Sequence, residues 1–478
     1  MRSGHDRSQS VGLGSGGINR RQLLRGSAAL VAAPAFLRLT SRSAFAQDDI
    51  PIAKSSAKVN GKLSVLQDQD FHPDHNAFLK AQIEAFCQFQ GWDYEVTDVA
   101  GFQGGGDLNQ KLVASVQAGN AADLLIKDHQ VRQLQFLGVL EPTTDLTTEM
   151  IGLYGDTTPE MTNTSNFDDQ WWSVPFFTRA GGWYVRKDVL GAAGVDLTAG
   201  FNSLDQRRDA ALMVSDAAKQ MWGWGLTVNR SGDGTAFVQN TLYDFGSKIQ
   251  DETGEVVTFN SPESIAALEW LKETYTGEQW SKMLPPGIGA WTDTDNNQAF
   301  LAGTLACTQN AGTMYAKAVF DKVPFAGEIA WMPYPQRNSD NAYIDLMGGT
   351  KFHVIKGTKN KDATSDLIRH LLTQPVQEKI WTISQSYALP AYKNGWAHEL
   401  IQSVDNSKRA EPVVWNEAGF TGLRWPGPYN AAVDSVGGSN DHTDMMAEVL
   451  QGGDIAKIVE DYHKRWVQIW QDFGLKGE

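Results

Sequence analysis

The 478-residue sequence has few cysteines, and no apolar run in it is long enough to cross a bilayer. A membrane-spanning helix needs about 20 consecutive apolar residues. The two cysteines, Cys87 and Cys307, lie far apart and in apolar stretches. We therefore expect buried free thiols, because neither a dense disulfide framework nor a C-x-x-C motif is available.

Basic side chains are also scarce, with 41 Lys and Arg against 56 Asp and Glu, a net charge of −15. Residues 1–46 hold seven Arg and one Asp, so the rest of the chain carries 34 basic and 55 acidic side chains, a net charge of −21. Such a surface repels phosphate backbones and anionic lipids. Nucleic acid is therefore excluded as the expected partner, and the protein is not expected to be membrane-embedded.

The N-terminal 46 residues have the order of an export signal. Arg20 and Arg21 precede a short apolar run at 27–33, and the small-residue site Ala44-Phe45-Ala46 follows it. This order predicts a twin-arginine signal peptide over 1–46, cleaved on export to the periplasm, and favours it over a basic cytosolic tail. No cysteine follows the apolar run, so a lipoprotein anchor is not expected.

The remaining 432 residues exceed what one hydrophobic core usually supports, so at least two lobes are expected. Strand-like and helix-like segments alternate, which predicts parallel sheets covered by helices. The predicted strands are 63–66, 94–99 and 122–126. The predicted helices are 76–89, 108–116, one beginning at Ser261-Pro262, 297–303, 360–372, 375–384, 441–450 and 454–471.

Three motif-like patterns fail on their context. The G-x-G-x-x-G match at 12–17 follows no strand and lies in the leader. The segment 293–297 opens like a calcium loop, but Gln298 and Thr304 replace the required Gly and Glu. His398-Glu399 lacks the second His of a zinc-protease motif. We therefore predict no cofactor and no metal.

Sixteen tryptophans are present, and several stand in loop-like polar surroundings at 171–172, 222–224, 291 and 424–429. Aromatic rings stack on the apolar faces of sugar rings, while carboxylates, amides and Arg pair with the hydroxyls, which are costly to bury without partners. This composition favours a carbohydrate site, although any one of these rings is equally well explained by core packing.

Several segments in order resemble the extracellular solute-binding protein family 1 of ABC importers, the maltose-binding-protein-like group. The matching segments are Leu112–Asp123, Phe136–Pro142, Trp172–Phe176, Trp183–Asp188, Asn297–Gly303, Leu305–Asn310, Gly348-Gly349 and Tyr387–Pro390. Arg186 and Cys307 depart from the family pattern, which has Asn and Met at these places.

The resemblance implies an α/β, two-lobed periplasmic binding protein fold of type II, each lobe a doubly wound sheet flanked by helices. Lobe 1 would comprise 47–177 plus 346–389, and lobe 2 would comprise 178–345 plus 390–478. Hinge crossovers are expected near 176–180, 343–348 and 387–392. The implied function is non-enzymatic: a monomer captures a sugar, polyol or sugar derivative by hinge closure and delivers it to a membrane permease.

Ligands of open α/β sheets bind at the carboxyl ends of strands. We therefore place Asp70 in the cleft as a hydroxyl acceptor and Trp291 and Trp425 as stacking platforms. The full set of expected ligand-binding residues is Gln69, Asp70, His72, Lys127, Asp128, His129, Thr178, Arg179, Trp222, Trp224, Asn229, Trp291, Asp293, Asn310, Gly348, Gly349, Arg424, Trp425 and Tyr429. Metal binding by His72 and His129 is disfavoured, because no carboxylate accompanies them at a fixed spacing.

Three alternatives remain open at this point. A polyamine or other amine would suit Asp70, Asp128, Asp293 and Trp291. An anionic sugar derivative would suit Lys127, Arg179 and Arg424. An exported glycoside hydrolase would need two carboxylates about 5–10 Å apart, and no such pair is evident in the sequence.

Overall fold

The computed structural model describes residues 50–101, 106–197, 201, 203–334, 348–416 and 424–478. The predicted signal peptide and most of the crossover expected at 343–348 lie outside these residues. The strands are β1 (Leu63–Gln69), β2 (Tyr94–Ala100), β3 (Leu124–Lys127), β4 (Asn166–Phe167), β5 (Gln170–Trp171), β6 (Val174–Thr178), β7 (Gly182–Arg186), β8 (Cys307–Asn310), β9 (Ile329–Met332), β10 (Thr350–Val354) and β11 (Leu389–Pro390).

Helices fill most of the remaining described chain. They are α1 (Pro73–Gln90), α2 (Gly106–Ala118), α3 (Val131–Phe136), α4 (Thr144–Tyr154), α5 (Pro159–Ser165), α6 (Lys187–Ala192), α7 (Leu204–Val214), α8 (Gly232–Asp244), α9 (Pro262–Thr276), α10 (Asp295–Leu301), α11 (Thr313–Phe320), α12 (Lys361–Leu371), α13 (Gln374–Ser384), α14 (Lys393–Trp396), α15 (Glu399–Gln402), α16 (Asp405–Val414), α17 (Ala431–Gly437), α18 (Asp441–Leu450) and α19 (Ile455–Asp472). Short 3₁₀ helices occupy 217–219, 280–283, 288–290 and 326–328.

Six strands form the first sheet in the order β11-β6-β10-β3-β1-β2. β1 runs parallel to β2 and β3, whereas β10 runs antiparallel to β3 and β6. The strands with continuous apolar runs lie inside the sheet, as at Leu124–Ile126, which is fully buried. The sequence prediction of three parallel strands at this end of the chain is confirmed.

The helix that follows β1 shows how the sequence sets its own boundaries. Pro73 is the first residue of α1, where a missing N–H costs nothing. Phe78, Leu79 and Ile83 recur at helical spacing and are buried against the sheet. Gly91, at φ +76°, ends the helix in the left-handed conformation that glycine adopts without strain.

Three strands form the second sheet in the order β8-β7-β9, with antiparallel neighbours. Two isolated parallel bridges, Trp222 to Leu305 and Gly225 to Thr308, extend it beyond β8. The second sheet therefore differs from the doubly wound sheet expected there. Its core is built from helices as much as strands, with Trp224, Trp466 and Trp470 among its buried members.

The chain passes from the first sheet to the second within four residues. β6 ends at Thr178 in the first sheet, and β7 begins at Gly182 in the second. β10 and β11 bring the chain back to the first sheet, and the later helices α17, α18 and α19 pack in the second core. Among the described residues, no helix has both the length and the apolar character needed to cross a membrane.

Candidate ligand site

A cavity of about 700 Å³ opens where the two sets of elements face each other. The first sheet contributes the residues that follow β1 and β3, together with Lys351 of β10. The second set contributes the N-terminus of α8, the loop before α10, the end of β8 and the loop after α17. The volume is typical of a small-molecule site.

The structure brings nine of the sequence-predicted residues together around this cavity. They are Asp70, Lys127, Asp128, His129, Arg179, Asp293, Asn310, Gly348 and Tyr429. Six of them end a strand or follow one within two residues, which is where the strand-end rule places ligand residues.

Four predicted residues on the first-sheet side lie beside the cavity without lining it. The backbone carbonyl of Gln69 accepts a hydrogen bond from Gly101, and Nε2 of His72 lies 3.0 Å from the carbonyl oxygen of Ile383. Thr178 is buried in the strand pairing with β11. Gly349 packs within the sheet, since a Cβ there would lie 2.1 Å from Cε of Met161.

The predicted aromatic platforms are not among the lining residues. Trp224 is fully buried against Trp183, with ring centroids 5.0 Å apart, and Trp222 belongs to the edge of the second sheet. Trp291 is half-buried, and its backbone carbonyl accepts a hydrogen bond from the side chain of Asn229 at 3.1 Å. Trp224 therefore belongs to the second core, because apolar helix and sheet faces bury large rings.

The two remaining predicted residues sit together on a neighbouring loop. The carbonyl of Arg424 accepts a hydrogen bond from the Gln250 side chain at 2.6 Å. The ring of Trp425 packs edge-on against Tyr243, with centroids 6.4 Å apart, and the ammonium of Lys248 lies 5.2 Å from it. Neither side chain lines the cavity.

Lys127 ties together the carboxyl ends of three strands. Its ammonium donates to Oδ1 of Asp68 at 2.9 Å and to the carbonyls of Ala100 and Gly101 at 3.0 Å each. Burial raises the pKa of Asp68, and the charge of Lys127 opposes that shift. All three ammonium hydrogens are used, so this cation belongs to the protein's own scaffold.

Arg179 anchors a second buried network at the first crossing between the sheets. Its guanidinium donates to Oδ2 of Asp128 at 3.0 Å, to Thr350 at 2.8 Å and to the Tyr387 hydroxyl at 2.9 Å. The Tyr387 hydroxyl donates in turn to Asp70. Although burial disfavours the charge, Tyr387 and Asp128 raise the pKa of Arg179, so it stays cationic.

Lys351 and Glu160 form a third pair, at 3.1 Å, that sequence reasoning missed. Lys351 also donates to the carbonyl of Gly349, and Thr164 donates to the same carboxylate oxygen of Glu160. Oε2 of Glu160 has no hydrogen-bond partner among the described residues, although this side chain is almost fully buried. A buried acceptor of this kind calls for a donor.

Two carboxylates face each other in the opposite wall. Oδ1 of Asp293 accepts the backbone N–H of Asp233 at 2.9 Å, and Oδ2 of Asp233 accepts from Asn296 at 2.8 Å. Burial raises the pKa of Asp233 well above its ordinary value, and the charge of Asp293 adds to this. Burial also raises the pKa of Asp293, to about 6.

A further buried carboxylate, Asp434, links the two cores. It lies on α17, whose apolar residues belong to the second core, and its Oδ2 accepts the backbone N–H of Gln133 at 3.0 Å in the first turn of α3. Burial raises the pKa of Asp434 to about 7 in spite of that bond. The contact closes one end of the cavity.

The histidines show no arrangement typical of a metal centre. His129 is buried beside the Asn109 side chain, and burial followed by the charge of Lys127 lowers its pKa well below the ordinary value, so it is neutral. Among the described residues, no group of three or more His, Cys, Asp or Glu side chains is placed to hold a metal ion.

The functional candidates that sequence reasoning missed lie on helices, within strands or, for Tyr387, in the turn between α13 and β11. They include Asp68, Glu160, Asp233, Lys351, Tyr387 and Asp434. One usable signal existed: Ser231 caps α8 by accepting the N–H of Gly234 at 2.8 Å, and a Ser-Gly-Asp-Gly run marks such a helix start.

Known proteins with a similar sequence indicate the family to which this chain belongs. The family model for bacterial extracellular solute-binding proteins matches residues 81–403. The chain belongs to this family. A curated relative, the arabinooligosaccharide-binding protein of Halalkalibacterium halodurans, is 22% identical over 218 residues, 45% of this chain. That match spans 47% of the relative's own length.

Solved structures of similar fold cover nearly the whole described chain. Maltose-bound MalE3 of T. maritima has a TM-score of 0.70 at 20% identity, covering 86% of this chain and 99% of the other. A solute-binding protein of Agrobacterium radiobacter K84 in complex with ribitol has a TM-score of 0.71 at 17% identity, covering 86% and 98%. The predicted two-lobed α/β binding fold is thus confirmed for this solute-binding protein.

Proposed function

We propose that this solute-binding protein captures a carbohydrate in the 700 Å³ cavity and delivers it to the permease of an ABC importer. The observation that carries the proposal is the cavity lining, where carboxylates, amides and cations are already held in place by hydrogen bonds to one another. Preorganised polar groups suit a ligand rich in hydroxyls, each of which must find a partner when buried.

The names of similar proteins support the same ligand class. The curated relative is named for arabinooligosaccharides, and the two structural neighbours hold maltose and ribitol. A carbohydrate is therefore a better candidate than a peptide or a lipid. We propose that this chain acts by binding alone, after twin-arginine export to the periplasm.

Hinge closure is the expected motion, with lobe 1 at 47–177 plus 346–389 and lobe 2 at 178–345 plus 390–478. Arg179, in the first crossing at the start of lobe 2, donates hydrogen bonds to Asp128 and Tyr387, both of which lie in lobe 1. Small-angle scattering should give a smaller radius of gyration with ligand than without it. An unchanged radius would contradict closure.

A thermal-shift screen against sugars, polyols, amines and sugar acids tests the function. A ligand at 100 times its Kd stabilises the folded state by about 2.7 kcal/mol. Asp128→Asn should weaken the response, because Asp128 lines the cavity, whereas Asp362→Asn on the exposed start of α12 should leave it unchanged. Stabilisation by no carbohydrate would contradict the proposal, as would turnover of chromogenic glycosides.

A further inference from the structure

Charge balance in the cavity identifies the ligand more closely. Among the described residues, four cations line it, and each is paired with a carboxylate of the protein: Lys127 with Asp68, Arg179 with Asp128, Lys351 with Glu160 and Arg230 with Asp444. An anionic ligand at Lys127 or Lys351 would have to displace a buried carboxylate and leave it unpaired, which is costly. The Arg179 and Arg230 pairs are more exposed, but each cation is already balanced by its own carboxylate.

On the opposite wall of the cavity, two carboxylates have no cationic partner among the described residues. Asp233 and Asp293 both line the cavity, and neither forms an ion pair among the described residues. The groups that face Asp233 are the Asp293 carboxylate and the amide of Asn296, and the nearest cation on the same loop, Arg230, is held by Asp444 through two hydrogen bonds.

A second observation indicates that this pair awaits a ligand. Asp233 is 9% exposed, and its Oδ1 accepts no hydrogen bond from the described residues. Across the cavity, Oε2 of Glu160 is equally without a donor, at 3% exposure. A buried carboxylate oxygen is nearly always satisfied, so Oε2 of Glu160 calls for a donor in the cavity, and Oδ1 of Asp233, which is not fully buried, is open to a second one.

We propose that the carbohydrate carries a primary amine, and that its ammonium group lies between the carboxylates of Asp233 and Asp293. The inference rests on the proposed function. Two adjacent buried carboxylates cannot both ionise alone, so the free protein holds a proton there. An ammonium takes the place of that proton, which is released to solvent, so the net charge of the pair stays at −1. The ammonium then donates its N–H groups to carboxylate oxygens such as Oδ1 of Asp233.

Comparing each amino sugar with its parent sugar tests the inference separately from the proposed function. Glucosamine, galactosamine and the deacetylated chitosan dimer would each be titrated calorimetrically at pH 7 beside the parent sugar and the N-acetyl form. We expect at least one amine to bind tenfold or more tightly than both of its partners. If parent sugars bind as well as the amines, the inference fails alone; if no sugar binds, the proposed function fails with it.

Variants locate the amine. Asp233→Asn and Asp293→Asn should each weaken amine binding by at least tenfold more than they weaken binding of the parent sugar, because the amine loses an ionic partner and the sugar loses only a hydrogen-bond partner. The matched control is Asp362→Asn, which removes an exposed carboxylate at the start of α12, outside the cavity lining, and should leave the preference for the amine intact. Equal amine affinity in wild type and both cavity variants would overturn the inference, provided that their unfolding temperatures show them to be folded.

The pH dependence of amine affinity separates direct binding by the two carboxylates from a purely structural role, which would not change it. Because both acids must be ionised to hold an ammonium, amine affinity should rise between pH 5 and pH 7.5 in wild type, with proton release on binding. The charged groups concerned are Asp233, Asp293 and Arg230, the last held by Asp444. A flat or falling profile for the amine would contradict its placement.

Discussion

Replacing Lys127 by Met should destabilise the protein more than removing any surface cation. The ammonium makes three hydrogen bonds, to Asp68, Ala100 and Gly101, and the side chains of Lys127 and Asp68 are only 4% and 9% exposed. The substitution keeps the aliphatic stem but leaves a buried carboxylate and two carbonyls without their donor. Breaking a buried pair on one side costs about 3–5 kcal/mol.

Urea denaturation at pH 7.5, followed by circular dichroism, measures the loss. The matched control is Lys457→Met, which breaks the exposed i,i+4 pair with Asp461 on α19 and should cost far less than the loss of the buried pair. Adding Asp68→Asn to Lys127→Met should recover part of the loss, because the buried charge is then gone. If Lys127→Met and Lys457→Met lower the free energy of unfolding equally, the conclusion that Lys127 holds the three strand ends together is refuted.

Gly349→Ala should cost about 1–3 kcal/mol in the same assay, since the new Cβ would lie 2.1 Å from Met161 and 2.3 Å from the carbonyl of Phe177. Gly289→Ala, with no atom within 4 Å, should be neutral to within about 0.5 kcal/mol; equal effects would contradict the packing. A thiol reagent at pH 8 should label neither cysteine before denaturation, because both are buried and free and burial raises both pKa values to about 12; rapid native labelling would contradict this. Asp434, with a pKa near 7 against 3.8 unfolded, stabilises the fold most when protonated, so stability should fall as the pH rises from 5 to 8. Asp434→Asn should flatten that fall by an amount on the order of 2 kcal/mol, and an unchanged slope would contradict the assigned pKa.

The first sheet and the capped helix α9 of the second core were predictable because their sequences obey local rules. The apolar strand at 122–126, the amphipathic helix at 76–89 and the capped start at Ser261-Pro262 match β3, α1 and α9 within a few residues. Ser261 caps its helix by accepting the N–H of Ser264 at 3.2 Å. The second sheet was harder to predict, since its strands of four or five residues are distant in sequence and carry little periodicity.

The site was predictable only where it follows strands. Asp70 and Asp128 were found because parallel strand ends meet at one edge. Asp233 and Glu160 lie in the first turns of helices, and in sequence they are indistinguishable from solvated residues. Trp224 illustrates the converse error: a tryptophan beside glycines resembled a binding loop, but its N–H reaches the hydroxyl of Tyr275 at 3.3 Å inside the second core.

A crystal structure of the protein with its tightest-binding carbohydrate tests the central claim most directly. The account predicts one molecule in the cavity between the sheets, hydrogen-bonded on one side near Asp128 and on the other near Asp293. A carbohydrate bound outside this cavity, or bound inside it without touching either wall, would contradict the assignment.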